Sequence, residues 1–212
     1  MKNNFSFVHT KSWPYIGYAL AVTFVLWIIG LEFLGFLALA CALVYAYVFR
    51  QPNIFFDYSK AKGLLAPLEG EVVAITELQD NQEYGYSVTI EGSFQTESIL
   101  RVPMKNATVM SVTLQRGTRL AEISPLFPYL NEQGSVVFQD NEGHTILVEH
   151  LLKKSIIPLF LEVQEGFKVE QNSVYGVGAN TKTTLYLPHN FHFDVKVGST
   201  LYCGQTLIGH FA

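Results

Sequence analysis

Ala66-Pro67-Leu68-Glu69-Gly70-Glu71-Val72-Val73-Ala74-Ile75 decides how this chain folds, and Val195-Lys196-Val197-Gly198-Ser199-Thr200-Leu201-Tyr202-Cys203-Gly204-Gln205-Thr206-Leu207-Ile208-Gly209 repeats its logic near the C-terminus. Each is a β-turn between strands, with glycine where the backbone needs a positive φ. A third turn of this kind is Glu165-Gly166-Phe167-Lys168-Val169-Glu170-Gln171-Asn172, where Asn172 can take the left-handed conformation. Outward from these turns the pattern predicts strands at Glu71–Thr76, Tyr86–Ile90, Ile99–Val102, Thr108–Leu114, Arg119–Ile123, Ser135–Phe138, Thr145–His150, Ile156–Glu162 and Thr183–Leu187. Gly70, Asn81, Gly92, Gly117, Gly134, Gly143, Gly166 and Gly198 punctuate them. No long amphipathic helix is evident, although His150–Lys154 is expected to begin a short one. The expectation is a β-rich domain over residues 51–212, with a sandwich or barrel arrangement. These turns speak of fold and not of function.

Residues 1–50 are different. Between Trp13 and Phe49 the only charged residue is Glu32. As one rod this stretch would be about 55 Å long, against a hydrocarbon core of about 30 Å. Two helices, Trp13–Ile29 and Phe33–Phe49, with a turn at Gly30-Leu31-Glu32, fit better. Each is short for a full span, so a spanning hairpin and a re-entrant one both stay open. The apolar character is continuous and not amphipathic, which argues against a buried helical pair of a soluble core. It is also about twice the length of a signal-peptide core and lacks a small-x-small exit. Lys2 and Lys11 precede it, and Arg50, Lys60 and Lys62 follow it. The positive-inside rule then puts both ends, and the C-terminal domain, on the cytoplasmic side of the inner membrane. Trp13, Tyr15, Tyr18, Tyr45, Tyr47 and Phe49 would form an aromatic belt at that interface.

The 212 residues carry a net charge of −4 and 15% charged residues, which gives no sign of a nucleic-acid partner. The two cysteines, Cys41 and Cys203, are not a plausible pair, which suits a reducing compartment. No metal-ligand spacing is present.

Several motifs in a fixed order resemble the short bacterial phosphatidylserine decarboxylases. Lys11-Ser12-Trp13-Pro14 opens the hairpin and Val48-Phe49-Arg50-Gln51-Pro52 closes it, similar to that family's Phe-Arg-Asp-Pro exit. Pro67-Leu68-Glu69-Gly70 resembles Pro-Ala-Asp-Gly, and Asn131-Glu132-Gln133 resembles Asn-Glu-Arg. Leu152-Lys153-Lys154-Ser155 sits where the family has Ala-Arg-Arg-Ile. Glu165-Gly166 through Tyr175-Gly176, Leu185-Tyr186-Leu187-Pro188 and Gly204-Gln205-Thr206 complete the set.

The resemblance implies a proenzyme that cuts itself at a Gly-Ser pair. The serine hydroxyl attacks the preceding carbonyl, and elimination leaves a pyruvoyl group that serves as electron sink for decarboxylation. An Asp and a His assist the serine, a division of labour that needs nucleophile, base and orienting carboxylate. In this chain the Asp falls on Glu69, the His on Thr108 and the Gly-Ser pair on Asn180-Thr181. Glu for Asp keeps the charge. Thr for His removes the side chain that titrates near neutral pH. Thr for Ser keeps a hydroxyl, whose elimination would give a 2-oxobutanoyl group instead of pyruvoyl. Asn for Gly can still occupy a left-handed turn.

Gly198-Ser199, within Val197-Gly198-Ser199-Thr200, resembles the family's cleavage sequence but lies after Leu-Tyr-Leu-Pro. Cutting there would leave a fragment too short to supply the strand that follows the cleavage site. The histidines His9, His144, His150, His189, His192 and His210 read as surface or turn residues, with His144 and His150 the open candidates for a displaced base. His189 is too far along the strand from Thr181 to reach back.

Three readings follow from these residues. The first is an unprocessed, non-catalytic relative of the decarboxylases, acting in phosphatidylethanolamine metabolism by binding a phospholipid headgroup or by joining an active enzyme. It carries no cofactor, and pyruvoyl arises only if the chain cuts itself. The second is an active decarboxylase with a Thr-based or displaced centre. The third is a lipoyl- or biotinyl-type carrier or membrane-fusion adaptor. It rests on the two half-motifs and on Val102-Pro103-Met104-Lys105, but no second Met follows and no coiled coil lies between the halves. The headgroup of phosphatidylserine or phosphatidylethanolamine is the expected partner, with Arg50, Lys153 and Lys154 as candidate contacts. Lys153 and Lys154 are equally readable as a solvated charged pair. Arg50, Lys60 and Lys62 at the hairpin exit would attract anionic headgroups at about 1 kcal/mol per basic residue. A homo-oligomer is also compatible with the resemblance.

Overall fold

The computed structural model describes residues 13–48, 50, 63–79, 83–155 and 157–212. Lys2, Lys11, Phe49, Lys60, Lys62, Asn81 and Ile156, invoked above, lie outside them. The chain divides into two units, Met1–Asn53 and Ile54–Ala212.

In the first unit, α1 (Trp13–Ile28) and α2 (Glu32–Val48) fall within a residue of the expected bounds. Gly30 turns the chain between them at φ +83°. Their flanks meet through the Tyr15–Tyr45 stack and the edge contact of Trp27 with Phe36. With 16 and 17 residues they are about 24–26 Å long. No helix among the described residues is long and apolar enough to cross a membrane.

The second unit is mainly β, as alternating apolar positions dictate. Its strands are β1 (Leu64–Leu65), β2 (Gly70–Glu77), β3 (Tyr86–Glu91), β4 (Ile99–Arg101), β5 (Ala107–Gln115), β6 (Gln133–Gln139) and β7 (Thr145–Leu152). They continue with β8 (Phe160–Leu161), β9 (Lys168–Val169), β10 (Val174–Val177), β11 (Thr181–Leu187), β12 (Phe191–Phe193), β13 (Thr200–Leu201) and β14 (Leu207–Phe211). One helical turn, α3 (Phe127–Leu130), interrupts them. An eight-stranded sheet runs β13-β2-β3-β11-β7-β6-β5-β9, and two three-stranded sheets run β1-β14-β12 and β4-β10-β8. All these pairings are antiparallel.

Four expectations are corrected. Gly70 takes no positive φ but opens β2, where the close approach of the Glu91 backbone leaves no room for a side chain. Arg119–Ile123 is not a strand: Leu120 is tied to the Asn131 side chain, and the segment turns instead of pairing. His150–Lys154 starts no helix, because β7 continues through Leu152 against β11 and β6. Of the described residues in the expected strand Ile156–Glu162, only Phe160–Leu161 pairs, at the edge of a small sheet. The sequence also under-reads β1, β9, β10, β12, β13 and β14, which are two to five residues long.

The core lies on the inner face of the large sheet. Val136 and Phe138 of β6, Ile146 and Val148 of β7, and Leu185 and Leu187 of β11 are all buried there. The same period of two carries three polar side chains inward with them: Thr181, Thr183 and His150. Thr183 is opposite His150, and Thr181 is opposite Leu152.

Candidate active site

The turn Gly178-Ala179-Asn180 delivers the chain into β11 at Thr181. Asn180 is left-handed at φ +57°, a conformation that asparagine tolerates better than other side chains. Two bonds hold it to the end of β7: its Nδ2 donates to the Lys154 carbonyl at 2.9 Å, and its carbonyl accepts the Lys153 N–H at 3.1 Å. Thr181 is buried, and its carbonyl accepts the Gly92 N–H at 2.8 Å. Its hydroxyl donates to the Gly178 carbonyl at 3.2 Å. A carbonyl oxygen accepts a hydrogen bond but is no base at neutral pH. The turn is close-packed, since a Cβ at Gly178 would meet Thr181 Cγ2 at 2.8 Å.

Glu69 lies in this neighbourhood. Its backbone and that of Thr181 both flank Gly92, and its Oε2 accepts the Glu97 N–H at 2.8 Å. Ser98, next along, accepts the Gly178 N–H. Glu97 is buried in an ion pair with Arg101 at 3.4 Å, and Arg101 also donates to the Asn172 carbonyl. Thr108 is elsewhere. It pairs with Gln139 and Lys168 on β5, three strands from β11 and at the other end of the sheet. At sheet spacings this is about 14 Å across and roughly 20 Å along. The structure therefore brings Glu69 near Thr181 and does not bring Thr108 there.

Gly198 and Ser199 form a tight turn before β13, with Gly198 at φ +86°. Two backbone bonds pin the turn to Val72, and the Ser199 hydroxyl accepts the Lys196 N–H at 3.1 Å. Lys153 pairs with Glu91 at 3.3 Å and with Glu122 at 3.7 Å. Lys154 is exposed. Arg50 lies over the Tyr47 ring, 4.4 Å from its centre.

The residue that sequence reasoning underweighted is His150. It is wholly enclosed, with Nδ1 2.7 Å from the Thr183 hydroxyl and Nε2 2.7 Å from the Tyr175 hydroxyl. Burial pushes its pKa down to about 3, so the imidazole is neutral. Burial likewise raises the Tyr175 phenol well above its ordinary value. Both ring nitrogens are thus taken by groups other than Thr181. The signal was present in Ile146, Val148, His150 and Leu152, which alternate on one face if the strand is not ended early.

The remaining histidines with described contacts sit outside. His144, in the β6–β7 turn, lies 2.9 Å from Asp140, stacks on Phe211 and, with Glu142, brings three potential metal-ligand atoms together. His192 and His210 face each other across β12 and β14.

The outer face of the same sheet carries a cleft of about 580 Å³. Lys182, Thr184, Glu149, Gln133 and Phe127 are among its lining residues. Lys182 reaches the Glu122 carboxylate at 3.1 Å. Burial tends to raise the pKa of Glu122, but Lys182 and Lys153 outweigh it and hold it below the usual value.

No family model matches the chain. Among curated proteins it is similar to the phosphatidylserine decarboxylase proenzyme of Syntrophotalea carbinolica, with 25% identity over 99% of both chains. It is 25% identical to the proenzyme of the same name from Desulfotalea psychrophila, over 92% of each chain. The Ehrlichia ruminantium proenzyme is 23% identical over 84% of this chain and 79% of its own length.

Proposed function

We propose, from the premise that the chain belongs to the phosphatidylserine decarboxylase family, that it is an uncut, non-catalytic member of phospholipid metabolism. One observation carries the reading: the Thr181 hydroxyl is spent on the Gly178 carbonyl, with no basic group on it among the described residues. Activation of a hydroxyl nucleophile needs an adjacent base, and general-base assistance is typically worth about 10²–10⁴-fold. Glu69 is engaged by a backbone N–H, Thr108 is a hydroxyl on a distant strand, and His150 is committed to two other partners. These residues do not suit the formation of a pyruvoyl or 2-oxobutanoyl group.

What the protein retains is a lipid-facing role. It binds an aminophospholipid headgroup, or accompanies an active decarboxylase, at the cytoplasmic side of the inner membrane. The apolar hairpin embeds without needing to span. Lys153, Lys154 and Arg50 are the cationic contacts. A denaturing gel of the freshly purified full chain tests the reading. A single band near 23.8 kDa is expected, and a smaller companion band of about thirty residues would refute it.

A second reading, self-cleavage at Thr181, is favoured by one feature. The Asn180 carbonyl, which a nucleophile would attack, already accepts the Lys153 N–H. That is the kind of donor that stabilises an oxyanion. The same gel separates the two.

A further inference from the structure

Of the ten large apolar side chains left exposed on the described part of the β unit, four fall within eight residues. These are Ile123 at 94% exposure, Tyr129 at 74%, and Leu126 and Leu130 at about half. The others are scattered, and single exposed apolar residues are ordinary, whereas a contiguous set marks an interaction surface.

The segment is held at its base. Asn131 is fully buried, and its Nδ2 donates to the carbonyls of Leu120 and Leu152 at 3.0 and 2.8 Å. Its Oδ1 accepts the Leu120 N–H at 2.9 Å. One side chain thus ties the start of the segment to its end and to β7. Phe127 is buried beneath and fixes the α3 turn, while the four apolar side chains point away.

The charges around this base are arranged with the positive members outward. Arg116 and Arg119 both pair with the Glu132 carboxylate, which is almost wholly buried, and the Arg116 side chain is more than half exposed. Two guanidiniums share one carboxylate, leaving positive charge at the rim. On the cleft side Lys182 and Lys153 share Glu122 and Lys153 also pairs with Glu91, so charges balance there and the cationic rim is the Arg116–Arg119 edge. Apolar side chains projecting from a cationic rim suit a phospholipid surface, whose phosphates meet the rim while the apolar groups enter the acyl boundary. Tyr129, apolar with a polar tip, suits that depth.

We propose that residues 123–130 form a preformed flap that inserts Ile123, Leu126, Tyr129 and Leu130 into a phospholipid bilayer, setting the outer-face cleft at the headgroup level. This deepens the lipid-facing role proposed above and rests on it.

The full chain carrying Trp13→Phe and Trp27→Phe gives a background free of tryptophan. Ile123→Trp or Leu126→Trp then reports from the flap, and Phe94→Trp from an exposed apolar position elsewhere on the β unit. Each is bound to vesicles of phosphatidylethanolamine and phosphatidylglycerol, with and without brominated acyl chains. Blue-shifted emission and loss of intensity by bromine at 123 and 126, with neither at 94, is expected. No quenching at 123 and 126 while the protein is vesicle-bound, equal quenching at all three positions, or no vesicle binding would overturn the flap. Chain integrity on the gel is a separate readout: a cut chain with a quenched flap removes the non-catalytic reading and leaves the insertion standing.

Discussion

Thr181 and Thr183 are the same residue type, two positions apart on one strand and turned to the same buried face. Their hydroxyls have opposite fates. Thr183 Oγ1 lies 2.7 Å from an imidazole nitrogen, while Thr181 Oγ1 lies 3.2 Å from a carbonyl oxygen. The hydroxyl at the position proposed to match the family's serine meets no base among the described residues, and the hydroxyl two positions on meets a histidine. The difference comes from register: with Thr183 opposite His150, Thr181 is left opposite Leu152. Burial then adds a second obstacle. An imidazole whose pKa has fallen to about 3 is a weak proton acceptor even for a neighbour. A nucleophile is therefore defined by its partner as much as by its own side chain.

The comparison can be strained hardest at His150. Replacing it with alanine leaves a cavity and strips partners from the Thr183 and Tyr175 hydroxyls. Loss of about 3–5 kcal/mol is expected in urea unfolding. A loss under about 1 kcal/mol would mean that the imidazole is not enclosed as described.

The same histidine makes stability depend on pH in a defined direction. Its folded pKa, about 3, lies below the ordinary 6.5, so the unfolded chain binds the proton first. This contribution to stability is complete above about pH 6.5 and is lost as pH falls toward about 3. It declines by up to about 1.4 kcal/mol per pH unit within that window. The slope should flatten in His150→Leu relative to the parent chain. An unchanged slope would assign it to other groups.

The Thr181 side is expected to respond less. Thr181→Ala removes a buried hydrogen bond and a methyl group, for a loss of about 1–2 kcal/mol. Thr181→Ser should leave the chain uncut, since it restores the family's nucleophile without supplying a base. Self-cleavage of that variant would show that a base is present. Asn180→Gly suits the left-handed φ but loses the bond to Lys154, and a net change within about 1 kcal/mol is expected. Asn180→Ala loses the bond and keeps the strain, and should be the less stable of the two.

Much of the fold was legible because long strands alternate cleanly. Tyr86–Ile90, Ser135–Phe138, Thr145–His150 and Thr183–Leu187 all lie within observed strands. What escaped were pieces too short to show a period, such as Leu64–Leu65 and Lys168–Val169, whose pairing is set by distant partners. Arg119–Ile123 misled because its composition suits a strand while its backbone is claimed by the Asn131 side chain. At the site, the positive φ of Asn180 followed from its residue type, whereas the engagement of His150 depends on Thr183 and Tyr175, distant residues that tertiary pairing brings to it. The distance of Thr108 from Thr181 follows from strand order, which local sequence does not encode.

The most direct measurement is the intact mass of the freshly purified full-length protein, followed by sequencing of any N-terminus exposed at Thr181. One species at the mass of the uncut chain, near 23.8 kDa, is expected. Two pieces, the smaller beginning at the Thr181 position and blocked by an α-keto acyl group, would contradict it.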